Sequence, residues 1–473
     1  MLFNSFIFIW FFAITYSAYL LLSRRVRAQN LLLVVSGCVF YGYWDWRFLL
    51  LLIFSTLLDF CLANAIHASS NPRTRKVLMC LSVGSGLMIL SFFKYFNFFA
   101  ASFVRIAGMF GWHPDAFTLQ VLLPLGISFY TFETMSYTID VYRGQLIPTR
   151  SLLDYAVFIS FYPHLVAGPI MRAYELLPQI QSPRRITAER VNAGLFLIVW
   201  GYFKKVVVAD NVGPIADLVF NHVGQSQGLD VAIGVLAFSV QIYGDFSGYT
   251  DIARGLAKLM GFELGVNFNL PYFALSPSDF WRRWHISLST WLRDYLYVPL
   301  GGNRHGATRT YINLLLTMLL GGLWHGAAWH FVLWGAYHGV LLIAYRLADR
   351  DPPEMDLWSG QRSVPYILAK MGVMFVLTNI GWVLFRAASV QQALHILTHV
   401  GVQRSAQTPE MAYTLLFFSA PLLLMEWWQY RARSLVVPAS LRLAWRVPIY
   451  TGVLIWLCVF GVRASLKFIY FQF

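Results

Sequence analysis

Apolar stretches recur along the whole chain and are separated by short loops that carry most of the basic residues. Because a helix needs about 20 apolar residues to cross a bilayer, the pattern has room for about eleven crossings and some shorter re-entrant pieces. No segment of more than about 40 residues is polar enough to form a soluble domain of the usual size. We therefore predict a single all-α integral membrane domain over residues 1–473, with the last spans in residues 365–473.

The basic loops indicate an orientation in the membrane. A first basic cluster at positions 24–27 follows the first span. A second cluster, at 73–76, follows a predicted hairpin whose two spans are residues 31–43 and 48–65. A third cluster, at 143–150, follows two more spans. Each cluster falls an even number of crossings after the last, so all three are expected in the cytoplasm and the N-terminus outside. The first span lacks a basic n-region and a small-residue cleavage site, which favours a retained helix.

Composition supports the membrane class. Hydrophobic residues make up 58% of the chain and charged residues 12%, about half of the ~25% charged content usual for soluble domains. The net charge of +14 is spread over short loops, so membrane orientation explains it better than nucleic-acid binding. The four cysteines lie in apolar runs without metal-site or disulfide spacing.

From about residue 186 glycine and proline interrupt the apolar pattern, for example at 213–214, 271, 277 and 299–302. Broken backbone at membrane depth is tolerated only where it lines a cavity or is buried in protein, so we expect the active or transport site in this half. Residues 279–295 are typical of a basic, tryptophan-rich helix at the interface, capped by Ser278 or Asp279. A polar stretch follows at 349–362, and an aromatic tail ends the chain at 468–473.

His325 lies in an apolar run, TMLLGGLWHGAAWHFVLWG at residues 317–335. A histidine at membrane depth faces protein, a partner or a water-filled cavity, so it is a functional candidate, although a hydrogen bond between helices would also explain it. His330 is about 140° around a regular helix from His325, and the same geometry turns His338 away, so no shared metal site is expected. The chain has no P-loop, dinucleotide fingerprint or zinc-protease helix, and Ser247 is out of step with a serine-hydrolase elbow.

Five strings carry a resemblance to a known family: LPLGISFYTF (123–132), FYPHLVAGP (161–169), GDFSGY (244–249), FWRRWHISLSTWLRDY (280–295) and GGLWHG (321–326). They resemble the membrane-bound O-acyltransferase family, and within it the bacterial branch that includes alginate O-acetyltransferase membrane subunits and the D-alanine exporter of teichoic acid synthesis. The resemblance covers roughly residues 1–390. The remaining residues match only in being apolar and aromatic.

The resemblance implies about eleven transmembrane helices around a central pore-like chamber that re-entrant helices reach from the cytoplasmic face. It also implies two site histidines, His325 as the essential one and His285 as the second. His330 falls where the family pattern needs no histidine. His338 matches a recurrent position without a known role, and helix packing is the simpler explanation for it.

The residues fit acyl transfer from a thioester to a hydroxyl. A buried neutral imidazole at His325 can take the hydroxyl proton, and Gly322 and Gly326 beside Trp324 would let backbone and substrate approach closely. Polar donors for the oxyanion are expected among Asn267, Asn269 and Ser247. The phosphates of a coenzyme A-like donor are expected at Arg282, Arg283 and Arg293, for which interfacial anchoring is the equal alternative.

The predicted function is O-acetylation of an exopolysaccharide, with alginate as the preferred polymer and acetyl groups carried across the inner membrane from a cytoplasmic donor such as acetyl-CoA. Periplasmic acetyltransferase partners are expected, and no resident cofactor or metal. Cellulose or peptidoglycan as acceptor, or D-alanyl transfer to teichoic acid, remain alternatives. A transporter or flippase without chemistry, in which His325 is a proton relay, is the second class of hypothesis.

The orientation can be tested with single cysteines at Asp45 and Thr74 in a cysteine-free background. The two positions should react oppositely with a membrane-impermeant maleimide in intact cells, because one loop is predicted outside and the other in the cytoplasm. Equal labelling from outside would overturn this topology.

Overall fold

The computed structural model describes residues 1–112, 114, 123–222, 224, 226–348 and 363–462. Apart from one isolated β-bridge between Gly228 and Val400, the regular structure of these residues is helical, which confirms the all-α class. They contain seven helices long and apolar enough to cross a membrane and two shorter apolar ones. The protein is thus a multi-pass membrane protein. The polar stretch at 349–362 and the tail at 468–473 lie outside the described residues.

The chain forms two compact units, Met1–Gly194 with Ala253–Gly265, and Leu195–Ile252 with Val266–Phe473. The helices that begin in the first unit are α1 (Phe6–Leu21), α2 (Val26–Gly42), α3 (Trp46–Ala68), α4 (Pro72–Leu90), α5 (Phe96–Met109), α6 (Ile127–Tyr142), α7 (Leu152–Ser160), α8 (Tyr162–Leu165), α9 (Ala173–Gln181) and α10 (Ala188–Tyr202). A π-helical turn, Ser91–Tyr95, joins α4 to α5.

The predicted hairpin is present as α2 and α3, with the turn at residues 43–45. The Asp45 side chain accepts the backbone N–H of Arg47 at 3.0 Å and so caps α3. Gly37 of α2 packs so closely on α7 that a Cβ there would lie 2.0 Å from the carbonyl oxygen of Ser160. Only glycine permits this approach of the two helices.

Buried polar side chains join the helices of the first unit. Ser82 of α4 donates to Asp59 of α3 at 2.5 Å and to Thr138 of α6 at 3.0 Å. His164, in the FYPHLVAGP string, has its Nδ1 3.0 Å from a carboxylate oxygen of Glu133, and both side chains are fully buried. Because lipid offers no hydrogen-bond partners, such pairs replace the contacts that water would make.

The second unit begins within α10, which continues through a π-helical turn, Phe203–Ala209. Its further helices are α11 (Asp210–Asn221), α12 (Leu229–Leu259), α13 (Pro277–Arg283), α14 (Ile286–Leu292), α15 (Gly306–His325), α16 (Trp329–Leu347), α17 (Val364–Arg386), α18 (Val390–Thr398), α19 (Thr408–Ala432), α20 (Val437–Ser440) and α21 (Leu443–Phe460). The 3₁₀ turn Pro271–Phe273 precedes α13, and the π-helical turn Arg293–Tyr297 follows α14.

Glycines bring α15 and α16 into backbone contact. A Cβ on Gly322 would lie 2.2 Å from the carbonyl oxygen of Phe331, and one on Gly335 the same distance from that of Met318. A Cβ on Gly326 would meet the Phe331 ring at 2.0 Å. The close backbone approach expected at these glycines is thus present at Gly322. The expected approach of substrate there is wrong, because helix α16 already occupies the space above Gly322 and Gly326.

A cluster of charged side chains is buried where the π-helical turn faces α12, a feature that the sequence analysis missed. Lys205 Nζ lies 2.8 Å from carboxylate oxygens of both Asp210 and Asp245, and Lys204 contacts Asp251 at 2.6 Å. The side chains of Lys204 and Lys205 are 5% and 3% exposed. Two adjacent lysines inside a long apolar helix would have revealed it.

We expect Lys205→Met to destabilise the protein strongly, because it removes the cation that two buried carboxylates contact. Loss of one member of a buried pair costs about 3–5 kcal/mol, whereas loss of Lys258, whose partner Glu263 is half exposed, should cost at most about 1 kcal/mol. Thermal unfolding of both variants in detergent, beside their membrane levels, makes the comparison. Equal stabilities would show that the cluster contributes little.

Candidate active site

The predicted interfacial helix at 279–295 is broken into two short helices. Helix α13 ends at Arg283, α14 starts at Ile286, and the chain turns sharply at Trp284 and His285. These two side chains are 1% and 0% exposed, so this part of the segment lies inside the protein and the prediction of one continuous surface helix is wrong. The capping residue is Ser276, which accepts the Asp279 N–H at 3.1 Å, and not Ser278 or Asp279.

His285 occupies the turn in the left-handed region, with φ +43°. This conformation is uncommon for a residue with a Cβ and persists only where surroundings impose it. Its Nδ1 lies 3.3 Å from the side-chain oxygen of Asn267. Burial lowers the pKa of His285 to about 3, so the ring is neutral near pH 7.

His325 is the last residue of α15 and is 5% exposed. Its ring packs against three aromatic rings, with centroid distances of 5.0 Å to Trp324 and Trp334 and 5.3 Å to Phe385. The ring of His285 lies 6.5 Å away. The structure thus brings together the two histidines that the sequence analysis selected, although 40 positions separate them in the chain.

The helix that was expected to carry His325, His330 and His338 is also interrupted. Helix α16 begins anew at Trp329, so angles around one regular helix do not apply. His330 is half-buried and packs on Phe331 at 4.2 Å. His338 is buried and contacts the Trp334 ring at 4.9 Å, a ring that His325 also contacts.

A cavity of about 210 Å³ opens beside His325. Helices α13 to α16 and the π-helical turn supply its walls, which are mostly apolar, with Arg293 as the cationic residue among them. The lining consists of Trp281, Leu288, Ser289, Leu292, Arg293, Tyr297, Leu314, Thr317, Met318, Gly321, His325, Trp334 and Leu342. An imidazole and a guanidinium thus share one apolar cavity that is larger than an acetyl group needs.

The three candidate arginines have different surroundings. Arg293 lines the cavity and pairs with Asp294 at 2.7 Å. Arg282, like Arg293, is exposed, but it lines no part of this cavity. Arg283 is held by Asp279, at 2.7 Å, and this contact stabilises the end of α13. Of the three, Arg293 is the best placed to bind a donor whose acyl group reaches His325.

The proposed oxyanion donors are dispersed. Asn267 lies beside His285, and its amide nitrogen is buried without a hydrogen-bond partner among the described residues. Asn269 is exposed. Ser247 accepts a hydrogen bond from Lys204 at 3.0 Å and belongs to the buried charged cluster. Only Asn267 therefore lies next to the paired histidines.

Known proteins decide between an enzyme and a transporter. Residues 39–351 match the membrane-bound O-acyltransferase family. The chain belongs to this family. It is therefore an O-acyltransferase, and the hypothesis of a transporter without chemistry is set aside.

The chain is 44% identical to a probable alginate O-acetylase, AlgI, of Pseudomonas putida, over 83% of this chain and 79% of that protein. It is 35% identical to the peptidoglycan O-acetyltransferase of Helicobacter pylori, over 84% and 79%. The teichoic acid D-alanyltransferase of Bacillus subtilis is 28% identical over 48% and 60%. The similarity to the two O-acetylating relatives thus extends over more than four fifths of the chain, well beyond the five short motifs.

We expect Arg293→Gln to raise the KM for acetyl-CoA about tenfold and to change kcat little, because a phosphate contact made equally in the ground and transition states contributes only to binding. A hydrogen bond to a charged group contributes about 1.5–3 kcal/mol, and 1.4 kcal/mol corresponds to a factor of ten. Arg282→Gln is the matched control and should leave KM near normal. A raised KM for Arg282→Gln together with a normal KM for Arg293→Gln would instead place the donor phosphates at Arg282.

Proposed function

We propose that this O-acyltransferase takes acetyl groups from a cytoplasmic thioester across the inner membrane for the O-acetylation of alginate. The support is the position of His325 at an apolar cavity, with the ring of His285 6.5 Å away, in a chain that is 41–44% identical to five probable alginate O-acetylases over 83% of its length. Acetyl-CoA is the proposed donor. Periplasmic acetyltransferases are the proposed partners that complete transfer to the polymer.

In the proposed reaction, His325 removes the proton of the acceptor hydroxyl. The hydroxyl oxygen forms the new bond to the thioester carbon, the carbon–sulfur bond breaks, and the leaving thiolate receives the proton. A neutral imidazole in an apolar cavity suits this exchange because the proton is taken up and returned without a lasting buried charge. The net products are an ester and a free thiol.

The cavity favours a donor with a long arm. Its walls near His325 are aromatic and apolar, while Arg293 offers a cation elsewhere in the lining. A thioester carried on a slender arm with phosphates at its far end matches both properties.

His325→Ala should lower the acetyl content of the polymer at least about a hundredfold, since a positioned base contributes about 10²–10⁴ in rate. His330→Ala should have little effect, because that ring packs on Phe331 and does not line the cavity, and His285→Ala should be intermediate. The measurement is ester content in separated alginate, cellulose and peptidoglycan fractions beside the membrane level of each variant. Acetylation that persists in His325→Ala would remove this histidine as the base, and ester loss confined to peptidoglycan would reassign the acceptor.

A further inference from the structure

The turn at His285 is held by one asparagine that lies 18 residues earlier in the chain. The side-chain oxygen of Asn267 is within hydrogen-bond distance of three atoms: His285 Nδ1 at 3.3 Å, Ser287 N at 3.1 Å and Ser287 Oγ at 2.9 Å. The backbone oxygen of Asn267 accepts the N–H of Ile286 at 3.0 Å. Asn267 is 0% exposed, so water does not compete for these contacts.

These contacts determine which way the Asn267 amide faces. The backbone N–H of Ser287 can only donate, so the amide atom that it meets must be the oxygen. An amide oxygen can only accept, and the ring nitrogen that meets it must carry a hydrogen. The hydrogen of a neutral His285 ring is therefore on Nδ1, and its lone pair is on Nε2.

We propose that Asn267 is a positioning residue that holds His285 in the Nδ1–H tautomer, so that Nε2 accepts a proton or hydrogen bond from the substrate. The inference rests on the proposed function for the use of Nε2, whereas the tautomer follows from geometry alone. In this arrangement His285 acts as a neutral acceptor beside His325 and not as a cation that binds phosphate. The same asparagine also stabilises the left-handed conformation of His285, because it bonds to both residues that follow the histidine.

The surroundings of His285 support a neutral ring. Its ring neighbours include Phe246 at 4.8 Å, Trp324 at 5.9 Å and Phe268 at 6.4 Å, all of them without charge. His325 at 6.5 Å is the titratable group among its ring contacts. Apolar walls disfavour the imidazolium ion, so the ring stays neutral. Asn267 then controls which ring nitrogen of the neutral His285 carries the lone pair.

Two substitutions separate positioning from packing. Asn267→Leu keeps a similar volume and removes the acceptor, so the ring is free to adopt either tautomer. We expect acetyl transfer from labelled acetyl-CoA, in liposomes with the full-length protein, to fall about tenfold to a hundredfold, in line with the loss of other residues that orient a functional histidine. The fall should lie in kcat and be similar at every pH.

Asn267→Asp keeps an acceptor but adds a titratable group. At low pH the new carboxyl group and His285 together hold one extra proton. The carboxylate stabilises the imidazolium ion of His285, in which Nε2 is protonated and blocked. Loss of the proton at higher pH frees Nε2, so activity should rise with pH toward the wild-type value. The wild type should show no acid limb from His285 between pH 5 and pH 8, because the pKa of that ring lies well below this range. The additional limb of Asn267→Asp is therefore measured against the wild-type profile, which contains only the titration of other groups such as His325.

Asn313→Asp is the matched control. Asn313 is also fully buried, but its side chain donates to the carbonyl oxygen of Gly302 at 3.0 Å, and among the described residues no hydrogen bond joins it to a histidine. The variant should lose stability without an acid limb of its own. Full activity for Asn267→Leu would overturn the inference.

The tautomer can be read without any activity. Solid-state NMR of the protein in liposomes, labelled with ¹⁵N at histidine Nδ1 and compared with His285→Gln to identify the signal, should show a protonated Nδ1 for His285. Asn267→Leu should shift that signal toward an unprotonated nitrogen. An unprotonated Nδ1 in the wild type overturns the inference, whereas a protonated Nδ1 together with an active His325→Ala variant would overturn the proposed base and leave the tautomer assignment standing.

Discussion

The bilayer supplies no hydrogen-bond partners, and this constraint governs the second unit of the protein. Wherever a helix is interrupted, the freed polar groups must find partners inside the chain. At the turn between α13 and α14 the partner is Asn267, whose side-chain and backbone oxygens accept from His285, Ile286 and Ser287. The break between α13 and α14 and its asparagine partner therefore act together, and they place the His285 side chain where a continuous helix would not.

The same constraint explains the close packing around that turn. Helices α15 and α16 meet through Gly322 and Gly335, with backbone in contact with backbone, because small residues give transmembrane helices their closest approach. This packing brings the end of α15, and with it His325, against the aromatic rings of α16 and α17. Elsewhere in the unit, Lys204 and Lys205 are buried only because carboxylates on α11 and α12 surround them, which is how charges persist at membrane depth.

The chemistry follows from what these contacts bring together. An O-acyltransferase needs a base, a path for the thioester and exclusion of water. The second unit combines the paired rings of His285 and His325 with an apolar cavity that His325 and Arg293 line. The similarity to alginate O-acetylases extends beyond this site to most of the chain. The similarity to the peptidoglycan O-acetyltransferase of Helicobacter pylori has comparable coverage.

The membrane class, the α2–α3 hairpin and the family could be predicted from the sequence, because hydropathy, turn residues and contiguous motifs such as GGLWHG are local properties of the chain. The choice of His325 and His285 came from the same motifs. The broken helices at His285 and Gly326, the preference for Arg293 over Arg282 and the buried lysines were decided by the tertiary structure alone. Each depends on contacts between side chains that are distant in the sequence, such as Asn267 with His285 or Lys205 with Asp245. Helical periodicity describes neighbours within one unbroken helix and therefore cannot predict such contacts.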